Sequence, residues 1–244
     1  MDVAYIGTKH THVSAYDKIA RLYDPWSRTV VEDVSFYVAE AVASGGPVLE
    51  LGVGSGRIAV PVAAAGIDVV GVDLSAGMLE VARETASLAG VEVDLRHGDM
   101  RDPPVDGTFP LVIAPFRSLL HMETDMDRRA ALRAARKHLA PQGRFVFDVF
   151  APSREDIEET HGRWLEREPG IWERADWHED TRTLILRVRG ETAETEMSLA
   201  WLSVPEWKTL LREEGFVVSK VYGWFDRKPW RGGEDSIYIC RRRS

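Results

Sequence analysis

The sequence predicts an α/β fold: a doubly wound, mostly parallel sheet with an antiparallel β cap inserted late in the chain. Two observations lead to this prediction. Short apolar runs without polar alternation, such as Val48–Leu51 and Val69–Val72, are interleaved with helical stretches up to about residue 150. This arrangement is typical of parallel strands covered by helices on both faces. After Asp148 the pattern changes to period-two alternation, which indicates antiparallel strands.

The first part of the chain combines helical and apolar segments. Helical spacing from Ala15 predicts a helix that ends before Asp24-Pro25, because the residue preceding a proline is disfavoured in the α region. A second helix is expected from about Val30 to Ala43, where glycines stop it. The later predicted strands of this part are Glu92–His97, Leu111–Ala114 and Phe145–Phe147, and the helices between strands are Arg57–Ala65, Ala76–Ala89 and Arg128–Leu139.

The second part of the chain is predicted to form the inserted cap and then the last elements of the core. The predicted cap strands are Ile171–Trp177, Thr183–Arg189 and Glu194–Leu202. A helix at Pro205–Glu214 and strands at Phe216–Tyr222 and Ser236–Arg241 then complete the core. We therefore predict a division into residues 1–150, with helices and cofactor-binding core, 151–204, the inserted cap, and 205–244, the last helix and strands.

Composition excludes several classes of function. The formal net charge of -8 makes a nucleic-acid partner unfavourable, because phosphate backbones repel an acidic chain. Cys240 is the single cysteine, so no intramolecular disulfide is possible. No apolar run reaches the roughly 18 residues of a membrane span, and no signal sequence is visible, so a cytoplasmic protein is expected. No metal site is predicted, since His10 and His12 stand alone in a polar segment.

A glycine-rich segment, Glu50–Arg57, follows the first predicted strand and precedes a helix. Glycines are needed where a ligand lies against the backbone, and a helix N-terminus directs N–H groups at it. Arg57 occupies the position where a dinucleotide fingerprint requires its third glycine. Asp73 ends the second strand, where a carboxylate can accept both ribose hydroxyls, and Asp99 ends the third strand beside a base edge.

These motifs in this order resemble the class I S-adenosylmethionine-dependent methyltransferases over about residues 15–150. The resemblance implies a seven-stranded sheet, S-adenosylmethionine as cofactor and S-adenosylhomocysteine as product. It implies that the glycines line the methionine and ribose portions, that Asp73 holds the ribose, that Met78 packs on the adenine and that Asp99 accepts its amine. Met78 as a plain core residue and Asp99 as a turn residue are the alternatives. The cofactor residues so implied are Glu50, Gly52, Gly54, Gly56, Arg57, Asp73, Leu74, Met78, Asp99, Met100 and Pro115.

A narrower resemblance is to small-molecule methyltransferases of actinobacterial type, including sugar-amine N-methyltransferases. It is carried by Tyr16-Asp17, Tyr23-Asp24 and the segment Ala114–His121. In such enzymes an N-terminal aromatic residue closes over the cofactor, which makes Tyr16, Tyr23 and Tyr37 candidates; helix packing is the alternative for each.

Methyl transfer from a sulfonium needs alignment of donor and acceptor, and a base where the acceptor loses a proton. His121 follows the fourth strand at the cofactor edge and is the candidate base, with a capping or surface histidine as the alternative. Arg117, Trp224 and Phe225 are the candidate pocket residues. A surface role is an equal alternative for Arg117, and core packing is the alternative for Trp224, as for the other tryptophans from Trp164 onward.

The predicted function is methylation of a small-molecule acceptor at N or O, in secondary metabolism. A NAD-dependent oxidoreductase and a non-catalytic cofactor-binding protein are the alternatives. Monomer and homodimer both remain open.

Overall fold

The computed structural model describes residues 14–27 and 31–243. The predictions made for the polar segment with His10 and His12 lie outside these residues. In the described part, eleven strands follow in order: β1 (Val48–Leu51), β2 (Val69–Asp73), β3 (Asp94–His97), β4 (Phe109–Ala114), β5 (Leu139–Phe150), β6 (Trp164–Glu168), β7 (Ile171–His178), β8 (Thr183–Arg189), β9 (Glu194–Ala200), β10 (Phe216–Tyr222) and β11 (Asp235–Arg242).

Seven α-helices and two 3₁₀ turns connect these strands in the described ranges. The helices are α1 (Ala20–Trp26), α2 (Glu32–Ser44), α3 (Ala59–Ala64), α4 (Ala76–Ala89), α5 (Asp125–Lys137), α6 (Arg154–Thr160) and α7 (Val204–Glu213). The 3₁₀ turns are Ala15–Lys18 and Ser118–His121.

The main sheet has seven strands in the order β10-β11-β5-β4-β1-β2-β3. Strands β1 to β5 are parallel, whereas β11 runs antiparallel to both β5 and β10. The order reverses at β1, which pairs with β2 on one side and β4 on the other. A crevice at the carboxyl ends of strands flanking such a reversal is the usual ligand site of open α/β sheets. The predicted fold class is confirmed.

The core explains why the apolar runs lack alternation. All four residues of β1 are buried, with Leu49 and Leu51 in one hydrophobic cluster and Val48 in the other, on opposite faces of the sheet. Helices therefore cover both faces at this strand. Among the described residues, no helix is long and apolar enough to cross a membrane.

A second, separate sheet is antiparallel, in the order β6-β7-β8-β9. Its period-two pattern is visible in β8, where Leu184, Leu186 and Val188 are buried and the intervening residues are partly exposed. Strand β6 and helix α6 were not predicted, because their charge-rich sequences carry no apolar periodicity. We keep residues 151–204 as the proposed bounds of the insertion.

One helix differs from its predicted end. Helix α1 continues through Pro25 to Trp26, so the prediction that the proline pair ends it was wrong. The missing N–H of Pro25 removes one bond from a helix of only seven residues, and the Ser27 N–H still donates to the Tyr23 carbonyl at 2.8 Å. The extra turn places Trp26 against the second sheet.

Candidate functional site

A cavity of about 490 Å³ opens at the carboxyl ends of β1, β2 and β3, and the N-terminal turn and β9 form its opposite wall. Ten of the predicted site residues line it: Tyr16, Tyr23, Gly52, Gly54, Asp73, Leu74, Met78, Asp99, Met100 and His121. Their roles toward a ligand stay predictions, but the fold brings them together at one place.

The glycine loop after β1 adopts a backbone that only glycine takes easily. Gly52 and Gly54 have φ values of +79° and +56°. A Cβ at Gly52 would lie 2.7 Å from the Ser118 hydroxyl, and one at Gly54 would lie 3.3 Å from the Met78 methyl. The loop is therefore a cradle that any side chain would fill.

Asp73 is fixed by two backbone donors. The Gly54 N–H donates to its Oδ2 at 2.8 Å, and the Ser75 N–H donates to its Oδ1 at 2.8 Å. Burial raises the pKa of this carboxyl above its usual value, although the two N–H donors act in the opposite direction. A carboxylate has about four lone-pair sites, so an oriented Asp73 retains acceptor capacity toward the cavity.

Asp99 is already engaged by an arginine that the sequence analysis missed. The Arg101 guanidinium forms a fork with this carboxylate, at 3.0 Å from Nε to Oδ1 and 2.5 Å from Nη2 to Oδ2, and it also contacts Asp127. Burial acts to raise the pKa of Asp99, but the hydrogen bonds from Arg101 prevail and the pKa lies below its usual value. Arg101 directly follows the third-strand motif, which is the signal that could have identified it.

Tyr16 and His121 meet inside the cavity. The Tyr16 hydroxyl lies 2.9 Å from His121 Nε2, and the rings form an edge contact with centroids 5.4 Å apart. Burial lowers the pKa of His121 to about 4, although a hydrogen bond with the Ser198 backbone opposes this. Burial, with Tyr23 and Asp73 nearby, raises the pKa of Tyr16 well above its usual value. At neutral pH the imidazole is therefore uncharged and the Tyr16 hydroxyl is protonated, so it can donate to Nε2.

The N-terminal segment is held on the cavity by two aspartates, Asp17 and Asp24. Asp17 accepts from the Gly77 N–H at 2.9 Å and the Ser75 hydroxyl at 2.6 Å, at the start of α4. Asp24 accepts from the Ser55 hydroxyl of the glycine loop at 2.5 Å. Both aspartates directly follow tyrosines in the sequence, but no role was predicted for them.

The same segment also contacts the second sheet. Trp26 donates from its indole nitrogen to Glu173 at 2.8 Å, and the Thr195 hydroxyl donates to the Ala15 carbonyl at 2.7 Å. Tyr23, which lies between these contacts, packs edge-on against Tyr16 with centroids 5.6 Å apart. The N-terminal aromatics thus form one wall of the cavity.

Three predicted cofactor residues near the loops do not line the cavity. Glu50 is buried within β1, where burial raises the pKa of its carboxyl. Gly56 faces the helices, since a Cβ there would lie 3.1 Å from the Val60 side chain. Pro115 contributes a carbonyl that accepts from the Ser118 hydroxyl at 2.6 Å. These three residues therefore belong to the strand and loops around the cavity and do not face the cavity itself.

Tyr37 and Arg57 are also placed outside the cavity. The fully buried Tyr37 donates to Asp148 Oδ1 at 2.6 Å, so it serves the packing of α2 instead of covering a ligand. Arg57 forms a two-pronged ion pair with the buried Asp33 and lies over the Phe116 ring, 4.3 Å from its centroid. The predictions that these side chains contact the cofactor are therefore corrected.

The predicted acceptor-pocket residues are likewise elsewhere. Arg117 pairs with Asp235 at 3.1 Å and stacks on Phe150. Trp224 and Phe225 do follow β10, but β10 is the last strand of the sheet, four places from β1. At about 4.8 Å per strand this is about 19 Å away. The rings pack on each other with centroids 5.1 Å apart, and Phe225 packs on α2.

The far wall carries residues that the sequence analysis did not consider. Glu123 follows the 3₁₀ turn, and Glu196, Met197 and Ser198 belong to β9. The Ser198 hydroxyl donates to Glu123 at 2.7 Å, which joins the two elements. Within residues 14–27 and 31–243, no group of three or more His, Cys, Asp or Glu side chains is arranged to hold a metal ion.

Comparison with known proteins gives three kinds of match. A family model described as a methyltransferase domain matches residues 48–143. The cypemycin N-terminal methyltransferase of a Streptomyces species is 26% identical over 244 residues, covering 96% of each chain. Among solved structures, the CcbJ methyltransferase of Streptomyces caelestis has a TM-score of 0.81 at 23% identity, covering 95% of this chain and 99% of that one.

A further solved structure is that of an enzyme named for methylation of a sugar nitrogen. The sugar N-methyltransferase KedS8 of a Streptoalloteichus species has a TM-score of 0.69 at 17% identity, covering 100% of this chain and 99% of that one. At this identity the similarity shows a shared fold.

Proposed function

Because this chain is a class I methyltransferase that uses S-adenosylmethionine, we propose that it methylates an amine nitrogen of a small molecule of secondary metabolism. The alternatives of an oxidoreductase and a silent cofactor-binding protein are set aside by that premise. The observation that carries the proposal is the far wall of the cavity, where Glu123 and Glu196 accompany the uncharged His121. Glu196 is paired with Arg187 at 2.7 Å, whereas Glu123 accepts from the uncharged Ser198 hydroxyl. A carboxylate on the wall attracts a cationic ligand, and an amine is a cation in solution.

The near wall of the cavity, formed by the loops that follow the parallel strands, has residues that fit the cofactor. Gly52 and Gly54 leave open the space that a Cβ would fill, and Asp73 retains acceptor capacity for hydroxyls. Asp99 would accept an exocyclic amine only by sharing its oxygens with Arg101. When bound, S-adenosylmethionine supplies a methyl group on a sulfonium, which is a leaving group that needs no further activation. The chain itself then has to bind, orient and keep water out.

The Tyr16–His121 pair offers a route for the proton that the amine must lose: the Tyr16 hydroxyl, which donates to His121 Nε2, can accept the amine proton while it passes its own proton to Nε2. Its uncharged ring is aligned by the Tyr16 hydroxyl on one side and by the Ser198 backbone on the other. An uncharged imidazole nitrogen can accept a hydrogen bond or a proton, which a charged one cannot. The ammonium form of the acceptor has no lone pair for attack, so this proton has to leave before the methyl group is transferred.

Relatives named for amine methylation support the choice of nitrogen. The sugar N-methyltransferase KedS8 shares the fold, and the cypemycin enzyme is named an N-terminal methyltransferase. The net charge of -8 argues against a nucleic acid as acceptor. We expect a free small molecule as the partner.

The test is a panel of acceptors offered in matched pairs. Amino sugars are compared with the sugars that carry a hydroxyl at the same carbon, and a short peptide with a free N-terminus is added. The expected result is release of S-adenosylhomocysteine with amines only, with mass spectrometry locating the added methyl on nitrogen. Turnover with the hydroxyl members alone would overturn the proposal and assign an O-methyltransferase.

A further inference from the structure

The loop after β4 has an unusual backbone. Phe116 and Arg117 are consecutive non-glycine residues in the left-handed region, with φ values of +53° and +65°. Residues with a Cβ rarely adopt this region, because the backbone is strained there. Such strain persists only where the surrounding structure holds the backbone in place. The loop therefore needs an external partner for its backbone.

That partner is the carboxylate of Asp148, near the end of β5. The Phe116 N–H donates to Oδ1 at 2.8 Å, and the Arg117 N–H donates to Oδ2 at 3.0 Å. The Tyr37 hydroxyl donates to Oδ1 at 2.6 Å and fixes the carboxylate from the side of α2. Only 6% of Asp148 is exposed, so water cannot replace these donors.

The strained loop is part of the cavity wall. The Phe116 ring lines the cavity and packs edge-on against Tyr23, with centroids 6.3 Å apart. The Ser118 hydroxyl lies 2.7 Å from the place where a Cβ of Gly52 would stand. A change in the backbone at Phe116 or Arg117 would therefore shift the side chains that face the glycine loop.

We propose that Asp148 is a positioning residue, whose buried carboxylate holds two left-handed residues and thereby sets the cavity wall against the glycine loop. Asp148 does not line the cavity, so the inference does not depend on which acceptor is methylated. Its consequence is measurable as affinity for S-adenosylhomocysteine.

The charge state of Asp148 gives a readout that packing alone would not. Burial raises the pKa of Asp148 to about 6. The charged and titratable groups around it are Tyr37, Asp33, Arg117 and Arg57. Protonation removes acceptor capacity, so the loop loses its anchor as the pH falls through about 6. Because the pKa is raised on folding, the stability contributed by this group has the opposite trend: it is present below about pH 4 and is lost as the pH rises through about 6.

The experiment compares Asp148→Asn with the wild-type chain by calorimetric titration of S-adenosylhomocysteine. We expect at least about tenfold weaker binding in the variant at pH 7.5, with the melting temperature little changed or raised. Wild-type affinity is expected to fall between pH 7.5 and 5, with a midpoint near 6, and that profile is expected to be flat in the variant.

Arg117 provides the matched control. In the Asp148→Asn background, Arg117→Gly is expected to recover part of the affinity, whereas Arg117→Ala is not, because only glycine takes this φ without strain. Both changes remove the same guanidinium. If Asp148→Asn alone does not fold, recovery of the fold by Arg117→Gly but not by Arg117→Ala supports the proposal. Binding within twofold of wild type, or equal behaviour of the glycine and alanine variants, overturns it.

Discussion

Replacement of Asp73 by alanine is the most direct perturbation of the cofactor cradle. The carboxylate holds the Gly54 and Ser75 N–H groups at 2.8 Å each and lines the cavity. Loss of one hydrogen bond to a charged group costs about 1.5–3 kcal/mol. At 1.4 kcal/mol for each factor of ten, this predicts an affinity for S-adenosylhomocysteine lower by about 10- to 150-fold. Disturbance of the glycine loop would add to this loss.

Calorimetric titration measures the effect, with Asp68→Asn as the matched control. Asp68 is an exposed residue just before the same strand. The affinity of the Asp68→Asn variant for S-adenosylhomocysteine is therefore expected to equal that of the wild type. An Asp73→Asn variant separates charge from shape, because its amide oxygen can accept from only one of the two N–H groups of Gly54 and Ser75, while its NH2 group, a donor, faces the other. An unchanged dissociation constant in Asp73→Ala would refute the assignment of this carboxylate to the cofactor.

Four further outcomes are expected. Gly54→Val should abolish cofactor binding while circular dichroism stays native, because the side chain meets Met78 and φ is +56°; tight binding would show that the loop is not the site. His121→Ala should lower kcat by about 10²-fold or more with cofactor affinity nearly unchanged, whereas a loss confined to KM would indicate substrate orientation only. Since the pKa of His121 is lowered to about 4 on folding, its contribution to stability should be lost as the pH falls from about 6.5 to 4, and His121→Gln should remove this part of the acid denaturation curve. Trp26→Phe should speed dissociation of S-adenosylhomocysteine in stopped-flow measurements, because the bond to Glu173 is lost; an unchanged rate would assign that bond to folding alone.

The parts of the site that sequence predicts well are those built from neighbouring residues. Gly52, Gly54 and Asp73 follow directly after apolar strands, and parallel strands bring their ends to one edge. Local pattern and the general rules of parallel sheets are sufficient there. The same reasoning placed Asp99 beside the cavity, where it lies.

The parts that sequence misplaced depend on long-range partners. Trp224 and Phe225 lie at the correct edge of the sheet but at its far end, because strand order is decided by the crossovers and not by local pattern. Arg57 is directed away from the cavity by Asp33, which precedes it by 24 positions. Asp148 was named only as the residue after which the alternating pattern begins, since its three donors come from other elements.

The cavity has two walls of separate origin. The near wall comes from loops of the parallel sheet, whereas β9 supplies Glu196, Met197 and Ser198 from the antiparallel one. If β9 faces the acceptor, as the proposed function requires, substitutions in this strand would alter which molecule is accepted while the glycine loop and Asp73 keep their geometry. For an engineer, this strand is the place to diversify in a library, with donor binding serving as the screen that every surviving clone must pass.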